Sequence, residues 1–246
     1  MMGLDIVIPV FNEGENITAV LEALRHSVQT PFQVLICYDR DDDTTLPHLR
    51  NYRNAGFEIL LVKNKGVGAH AAVLTGFQST KAPAVIVFPA DDAYNVEILD
   101  EMFKKFQEGC EIVVASRFMP GGCMKGCPWL KAVLVRFAAF TLQHFARLPT
   151  HDATNGFRLF SRRVLDEIKI ESSQGFAYSI ELLVKCHRLG WKFGEVPALW
   201  FERTKGKSRF RVIKWLPVYL RWYFYAFMTT YLRRGADSVA IKGSYS

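Results

Sequence analysis

Leu4-Asp-Ile-Val-Ile-Pro-Val-Phe-Asn-Glu-Gly-Glu-Asn16 passes from a mostly apolar run into a polar turn that contains a glycine. The same change recurs along the chain. Apolar runs stand at Leu4 to Val10, Phe32 to Tyr38, Phe57 to Val62, Ala84 to Phe88 and Ile112 to Ala115, and helix-like stretches lie between them at Glu15 to Val28, Thr44 to Ala55, Ala69 to Thr80 and Val96 to Gln107. Continuously apolar strands separated by helices mean a mostly parallel sheet covered on both faces, so the fold class is α/β.

In open α/β sheets ligands bind beyond the carboxyl ends of the strands. The residues that close each apolar run are therefore the ones to read for chemistry. They are Pro9-Val-Phe-Asn-Glu-Gly-Glu-Asn16, Asp39-Arg-Asp-Asp-Asp43, Asn64-Lys-Gly-Val-Gly68, Asp91-Asp92 and Ser116-Arg117. Five strand ends thus converge on one rim rich in carboxylates. Gly66-Val-Gly68 invites a dinucleotide-binding reading, but it follows the third strand instead of the first. A helix start or backbone nest that accepts a phosphate, or packs near a nucleotide, is the reading left open there.

With 246 residues, half of them apolar, the chain can bury a large core, which excludes a disordered protein. Its formal charge of +7 is concentrated after Phe201, where ten Lys or Arg face two acids. Such a cluster suits anionic lipid, nucleic acid or a phosphorylated ligand. The five cysteines form no C-x-x-C pair and no zinc pattern, so reduced thiols are expected. A strand-like run begins almost at once, and no secretory signal is expected.

Ile8-Pro-Val-Phe-Asn-Glu-Gly-Glu-Asn-Ile17, the acidic turn Asp39 to Asp43, Pro89-Ala-Asp91, Ser116-Arg-Phe118, Asp152-Ala-Thr-Asn-Gly-Phe-Arg158 and Arg203-Thr-Lys-Gly-Lys-Ser-Arg209 follow one another in that order. Spaced this way, they resemble family 2 glycosyltransferases, and most closely the dolichol-phosphate mannose synthase-like branch. The resemblance runs from about Leu4 to Phe210. It implies a GT-A fold, in which a Rossmann-like sheet holds a GDP- or UDP-sugar and the sugar passes with inversion to a polyprenyl phosphate. By position, Pro9, Phe11, Asn12 and Glu13 would line the nucleotide pocket and Asp39 would hydrogen-bond the base, while Asp43 serves as a helix cap.

In the family the fourth strand ends in Asp-x-Asp. Here Pro89 stands at the first acid, Asp91 at the second, and Ala93 where a glutamine is usual. The resemblance implies Mg2+ or Mn2+ bound by Asp91, with the adjacent Asp92 as a second candidate ligand. Neighbouring residues on an extended chain point to opposite sides, which counts against a simple exchange of roles. Two alternatives are a site neutralised by the protein's own cations and a degenerate site without catalysis.

A phosphate monoester is already an anionic nucleophile, so no general base is required. The site must instead cancel repulsion between acceptor phosphate and donor diphosphate. Arginine suits that task because its fork grips phosphate oxygens in pairs. Arg117 and Arg203 match family positions that contact phosphates, and Ser208 and Arg209 belong to the same loop as Arg203. Asp152 is expected to hold an arginine or a sugar hydroxyl, or to act as a base toward an alcohol acceptor. Arg158 is expected to pair with a core carboxylate such as Glu181.

The expected division is a catalytic domain over 1–210 and an amphipathic, aromatic and basic helix with a tail over 211–246. That helix, Trp222 and Phe224 included, is expected to lie on a membrane surface; Trp129 to Leu148 would do the same or bury itself against the last helix. The combined expectation is a peripheral glycosyltransferase on the cytoplasmic face of a membrane, with room for a separate spanning subunit or a homodimer. Competing classes are transfer to a soluble hydroxyl and a non-catalytic nucleotide-sugar or RNA binder. No nucleic-acid partner is expected, since an acidic rim repels a phosphate backbone.

Overall fold

The computed structural model describes residues 3–49, 52, 56–202, 212–232 and 235–243. The expected strands form β1 (Leu4–Pro9), β2 (Phe32–Tyr38), β3 (Glu58–Lys63), β4 (Ala84–Val87) and β5 (Ile112–Ser116). Between them lie α1 (Asn16–Ser27), α2 (Thr45–Leu49), α3 (Ala69–Ser79) and α4 (Ile98–Gln107). The second half adds β6 (Cys123–Lys125), α5 (Trp129–His144), β7 (Arg158–Ser161), α6 (Arg162–Glu167), α7 (Ala177–Arg188), β8 (Phe193–Pro197), β9 (Leu199–Phe201) and α8 (Val212–Tyr231).

Among the described residues, seven strands make the main sheet in the order β3-β2-β1-β4-β7-β5-β8. Only β7 runs against its neighbours, pairing Val87 with Arg158 on one side and Val114 with Arg158 on the other. The α/β expectation therefore holds as a mostly parallel sheet with one reversed strand. The reversal places the start of β7, and the loop before it, at the carboxyl ends of β4 and β5. A small second sheet pairs β6 with β9 in parallel.

Alternate side chains of the central strands feed two apolar layers. Ile6, Ile8, Val34, Ile36 and Ile86 join one layer with Leu21 and Leu24 of α1 and Leu99 of α4. Val7, Leu35, Val85 and Val87 join the other with Val73 and Phe77 of α3 and Leu182 and Leu183 of α7. Helix α3 approaches closely because Gly76 has no side chain; a Cβ there would meet Val7 Cγ1 at 2.5 Å. Coverage of both faces stops at the edge, where no residue of β3 is fully buried.

Candidate active site

The loop after β1 is strapped to the turn after β2. Asn12 adopts a left-handed φ of 55°, which asparagine tolerates better than most residues. Its backbone N–H donates to both Asp43 oxygens at 3.0 Å, and its own Oδ1 accepts from the Thr44 N–H at 3.1 Å. Asp43 also accepts from the N–H of Thr45, the first residue of α2, at 2.8 Å, which is the capping expected of it. The Glu13 N–H donates to Thr45 Oγ1 at 3.0 Å, while Phe11 is left exposed beside this strap.

Asp39, at the end of β2, accepts from Asn64 Nδ2 at 2.6 Å and from the Gly68 N–H at 2.8 Å. The Gly66 N–H donates to Asn64 Oδ1 at 3.0 Å. Both glycine amides that a phosphate nest would offer are thus taken by the protein's own side chains. The glycines shape the wall around Asp39, and the nest reading of Gly66 and Gly68 loses these two donors.

Asp91 and Asp92 follow β4. The Asp92 carboxylate turns back on its own chain, where it accepts from the N–H groups of Tyr94 and Asn95 at 3.2 and 3.1 Å and from Asn95 Nδ2 at 2.6 Å. Burial pushes the Asp92 carboxyl up, against the bonds from Asn95 that favour its charged form. Its oxygens are engaged in that turn, and Asp91 stands beside it, one residue nearer β4. Among the described residues no cluster of three or more His, Cys, Asp or Glu could hold a metal ion. A single hard carboxylate still fits a cation carried largely by diphosphate oxygens and water, though not an all-protein cage.

Arg117, just past β5, donates from Nε to Asp152 Oδ2 at 2.7 Å, from Nη2 to Asp152 Oδ1 at 2.9 Å and from Nη2 to Thr154 Oγ1 at 2.7 Å. Asp152 is fully buried. Burial by itself would raise its carboxyl, but the Arg117 charge and the bonds from Arg117 outweigh that and hold it below the usual carboxylate range. A depressed carboxylate with both oxygens engaged makes a poor base. Of the roles expected for Asp152, the structure shows it holding an arginine.

The expected pairing of Arg158 with Glu181 does not form. Arg158 is fully buried and donates to the carbonyls of Ser179 and Ala153, the latter at 2.6 Å, and burial lowers its pKa to about 10. Glu181 instead accepts from Lys185 Nζ at 2.7 Å and from the N–H groups of Glu171 and Ser172. Lys185 is one helical turn further along α7 than Glu181, so local spacing supplied a closer partner than the distant strand.

Helices α5 and α8 lie against each other through Thr141 Oγ1 and Tyr223 Oη at 2.8 Å and through Tyr231 Oη, which donates to the Phe145 carbonyl at 2.6 Å. Each still presents an exposed apolar stripe: Trp129, Val133, Phe137 and Phe140 on α5, and Leu216, Leu220, Phe224 and Met228 on α8. Trp222 corrects the sequence expectation. It is 2% exposed and packs in the core beside Tyr225, with Lys185 Nζ over its ring at 5.3 Å, whereas Phe224 is 56% exposed. Lys131 of α5 lies over the Trp200 ring at 5.0 Å and 3.7 Å from Glu202. No described helix is long and apolar enough to cross a membrane.

Arg203, Ser208 and Arg209 lie outside the described residues. The structure gives contacts to others for which the sequence reading assigned no individual role. Asn64 orients Asp39, Thr154 shares the Arg117 guanidinium, and Arg136 of α5 stands over the Phe118 ring at 5.1 Å, as does Arg117. Asn64 closes a strand and was legible by that rule. The others depend on contacts made across the fold.

Residues 5–169 match the family described as glycosyl transferase family 2. Among characterised proteins, the chain is 27% identical over 211 residues to a polyprenol monophosphomannose synthase of Mycolicibacterium smegmatis, covering 83% of this chain and 79% of that protein. It is 23% identical over 215 residues to a dolichol-phosphate mannosyltransferase of Pyrococcus furiosus, covering 85% of this chain and 60% of that one. Among solved structures, a glucosyl-3-phosphoglycerate synthase of Mycobacterium tuberculosis in complex with Mn2+, UDP and glucosyl-3-phosphoglycerate superposes with a TM-score of 0.66. Identity there is 15%, over 93% of this chain and 80% of that one, and the likeness is one of fold.

Proposed function

The chain belongs to glycosyl transferase family 2 and is a glycosyltransferase, and on that premise we propose that it moves one hexose from a GDP- or UDP-sugar to a polyprenyl phosphate at the cytoplasmic face of a membrane. The observation that carries this reading is the approach of two arginines to one ring. Arg117 from the strand-end rim and Arg136 from α5 both lie 5.1 Å from the Phe118 centroid. The arginine at the β5 end of the otherwise acidic rim therefore adjoins the helix that bears an exposed apolar stripe. A ligand with a phosphate head and an apolar tail matches that adjacency; a small soluble acceptor has no use for the apolar half.

In this reading Asp39 binds the nucleotide base in a pocket walled by Pro9, Phe11, Asn12 and Glu13. Asp91 would hold Mg2+ or Mn2+, and a bound divalent cation would neutralise the diphosphate. Arg117, its orientation set by Asp152, faces the phosphates, and Arg203, Ser208 and Arg209 are assigned to the same task. An acceptor phosphate oxygen attacks the anomeric carbon, the bond from that carbon to the diphosphate breaks, and the nucleoside diphosphate leaves with the electron pair. The exposed stripes of α5 and α8 rest on the lipid surface, where apolar side chains enter and basic residues meet anionic headgroups. The relatives that act on polyprenol and dolichol phosphate support the choice of acceptor.

Radiolabel transfer from a panel of GDP- and UDP-sugars into organic-extractable polyprenyl phosphate, with and without Mg2+ or Mn2+, tests the proposal. Lipid-soluble label from one donor class is expected. Label appearing only in water-soluble products would refute the lipid acceptor.

A further inference from the structure

Glu195 has no place in the chemistry described so far. It stands in β8, the edge strand of the sheet, opposite Val114 of β5, and its side chain is 13% exposed. An acid at such a position is costly unless it collects donors. Glu195 collects three: Oε1 accepts from the Thr150 hydroxyl and from the His151 N–H at 2.7 Å, and Oε2 lies 2.7 Å from His151 Nδ1.

These bonds secure a segment without regular secondary structure. Thr150 is 1% exposed, and its hydroxyl has a single hydrogen. Giving that hydrogen to Glu195 leaves the hydroxyl lone pairs for the Asp152 N–H, which donates to Thr150 Oγ1 at 3.1 Å. Asp152 in turn holds Arg117 through Nε, Nη2 and the backbone N–H. A directed relay thus runs from Glu195 through Thr150 and Asp152 to the guanidinium at the rim.

We infer that Glu195 is a positioning residue for Arg117, acting through the Thr150 hydroxyl and the Asp152 backbone. The inference deepens the proposed function and rests on its reading of Arg117 as the group that faces the phosphates. Thr150→Val cuts the relay in the middle and keeps nearly the same volume, so it carries the test should Glu195→Ala fold poorly. Thr150→Ser keeps the hydroxyl and is expected to behave as wild type.

Transfer rates in Thr150→Val, Arg117→Ala and the double variant form a cycle that separates positioning from general stability. Thr150→Val alone is expected to slow transfer about tenfold, which corresponds to about 1.4 kcal/mol. On top of Arg117→Ala it is expected to cost nothing more, and an undiminished tenfold loss there overturns the inference. Arg117→Ala with wild-type transfer would sink instead the reading of Arg117. A second readout needs no activity at all: the Arg117 Nε–H resonance, identified by its loss in Arg117→Lys, is expected to exchange slowly with solvent in the wild type and to broaden in Thr150→Val. If that resonance is unchanged, Glu195 and Thr150 do not position Arg117.

Discussion

The Arg117 guanidinium meets both oxygens of Asp152, Nε to Oδ2 at 2.7 Å and Nη2 to Oδ1 at 2.9 Å, although the two residues lie 35 positions apart. A fork gripping a carboxylate with two N–H groups fixes the arginine in rotation as well as in place. The positive charge at the end of β5 is thereby held by an acid that solvent does not reach.

Asp152→Asn should leave a largely buried guanidinium without its counter-charge and lower stability by about 3 kcal/mol, measured by urea unfolding. The folded carboxyl titrates below the ordinary Asp value of 3.8. Its stabilising contribution is therefore complete above that ordinary value and is lost only as pH falls through the depressed one. The stability gap between wild type and Asp152→Asn should stay level from neutrality down to mildly acid pH and close below it. A gap that closes near neutrality would show that Asp152 is not held ionised by Arg117.

Asp91→Asn and Asp92→Asn should part company. Isothermal titration with UDP or GDP is expected to show that Asp91→Asn loses the enhancement of nucleotide binding by Mg2+ or Mn2+, whereas Asp92→Asn keeps it and changes stability by less than about 1 kcal/mol. Burial raises the Asp92 carboxyl, so the wild type should gain stability relative to Asp92→Asn as pH falls through that raised value. The same metal response in both variants would make Asp92 a metal ligand as well.

The outward and inward aromatics of the two helices predict opposite phenotypes. Phe137 and Phe224 are exposed, and replacing both by Ser should weaken binding to anionic vesicles by about tenfold or more with little change in melting temperature. Trp222→Ser should instead cost about 3–5 kcal/mol of folding stability, because it empties a core position. Vesicle binding untouched by the double Phe variant would refute the membrane assignment of these stripes.

Arg136→Ala should raise the KM for polyprenyl phosphate on the order of tenfold, the equivalent of about 1.4 kcal/mol, while the donor KM stays near wild type. Steady-state kinetics with one substrate varied at a time separates the two. A rise confined to the donor would move Arg136 to the diphosphate side of the site.

The sequence by itself determined the strands and helices of the first half and the acidic rim where β1, β2, β4 and β5 end, because apolar periodicity and turn chemistry act between near neighbours. Asp43 as a cap and Asp91 at a strand end were legible for the same reason. What only the tertiary structure decided depends on how distant segments meet. Reversal of β7 brought Asp152 to Arg117, and α7 gave Glu181 a lysine one turn away, so that Arg158 was left with backbone carbonyls. Helix α8 is apolar around most of its circumference, and a pattern with so little contrast cannot say which stripe faces the core. Its packing against α5 and α7 turned Trp222 inward and left Phe224 outside.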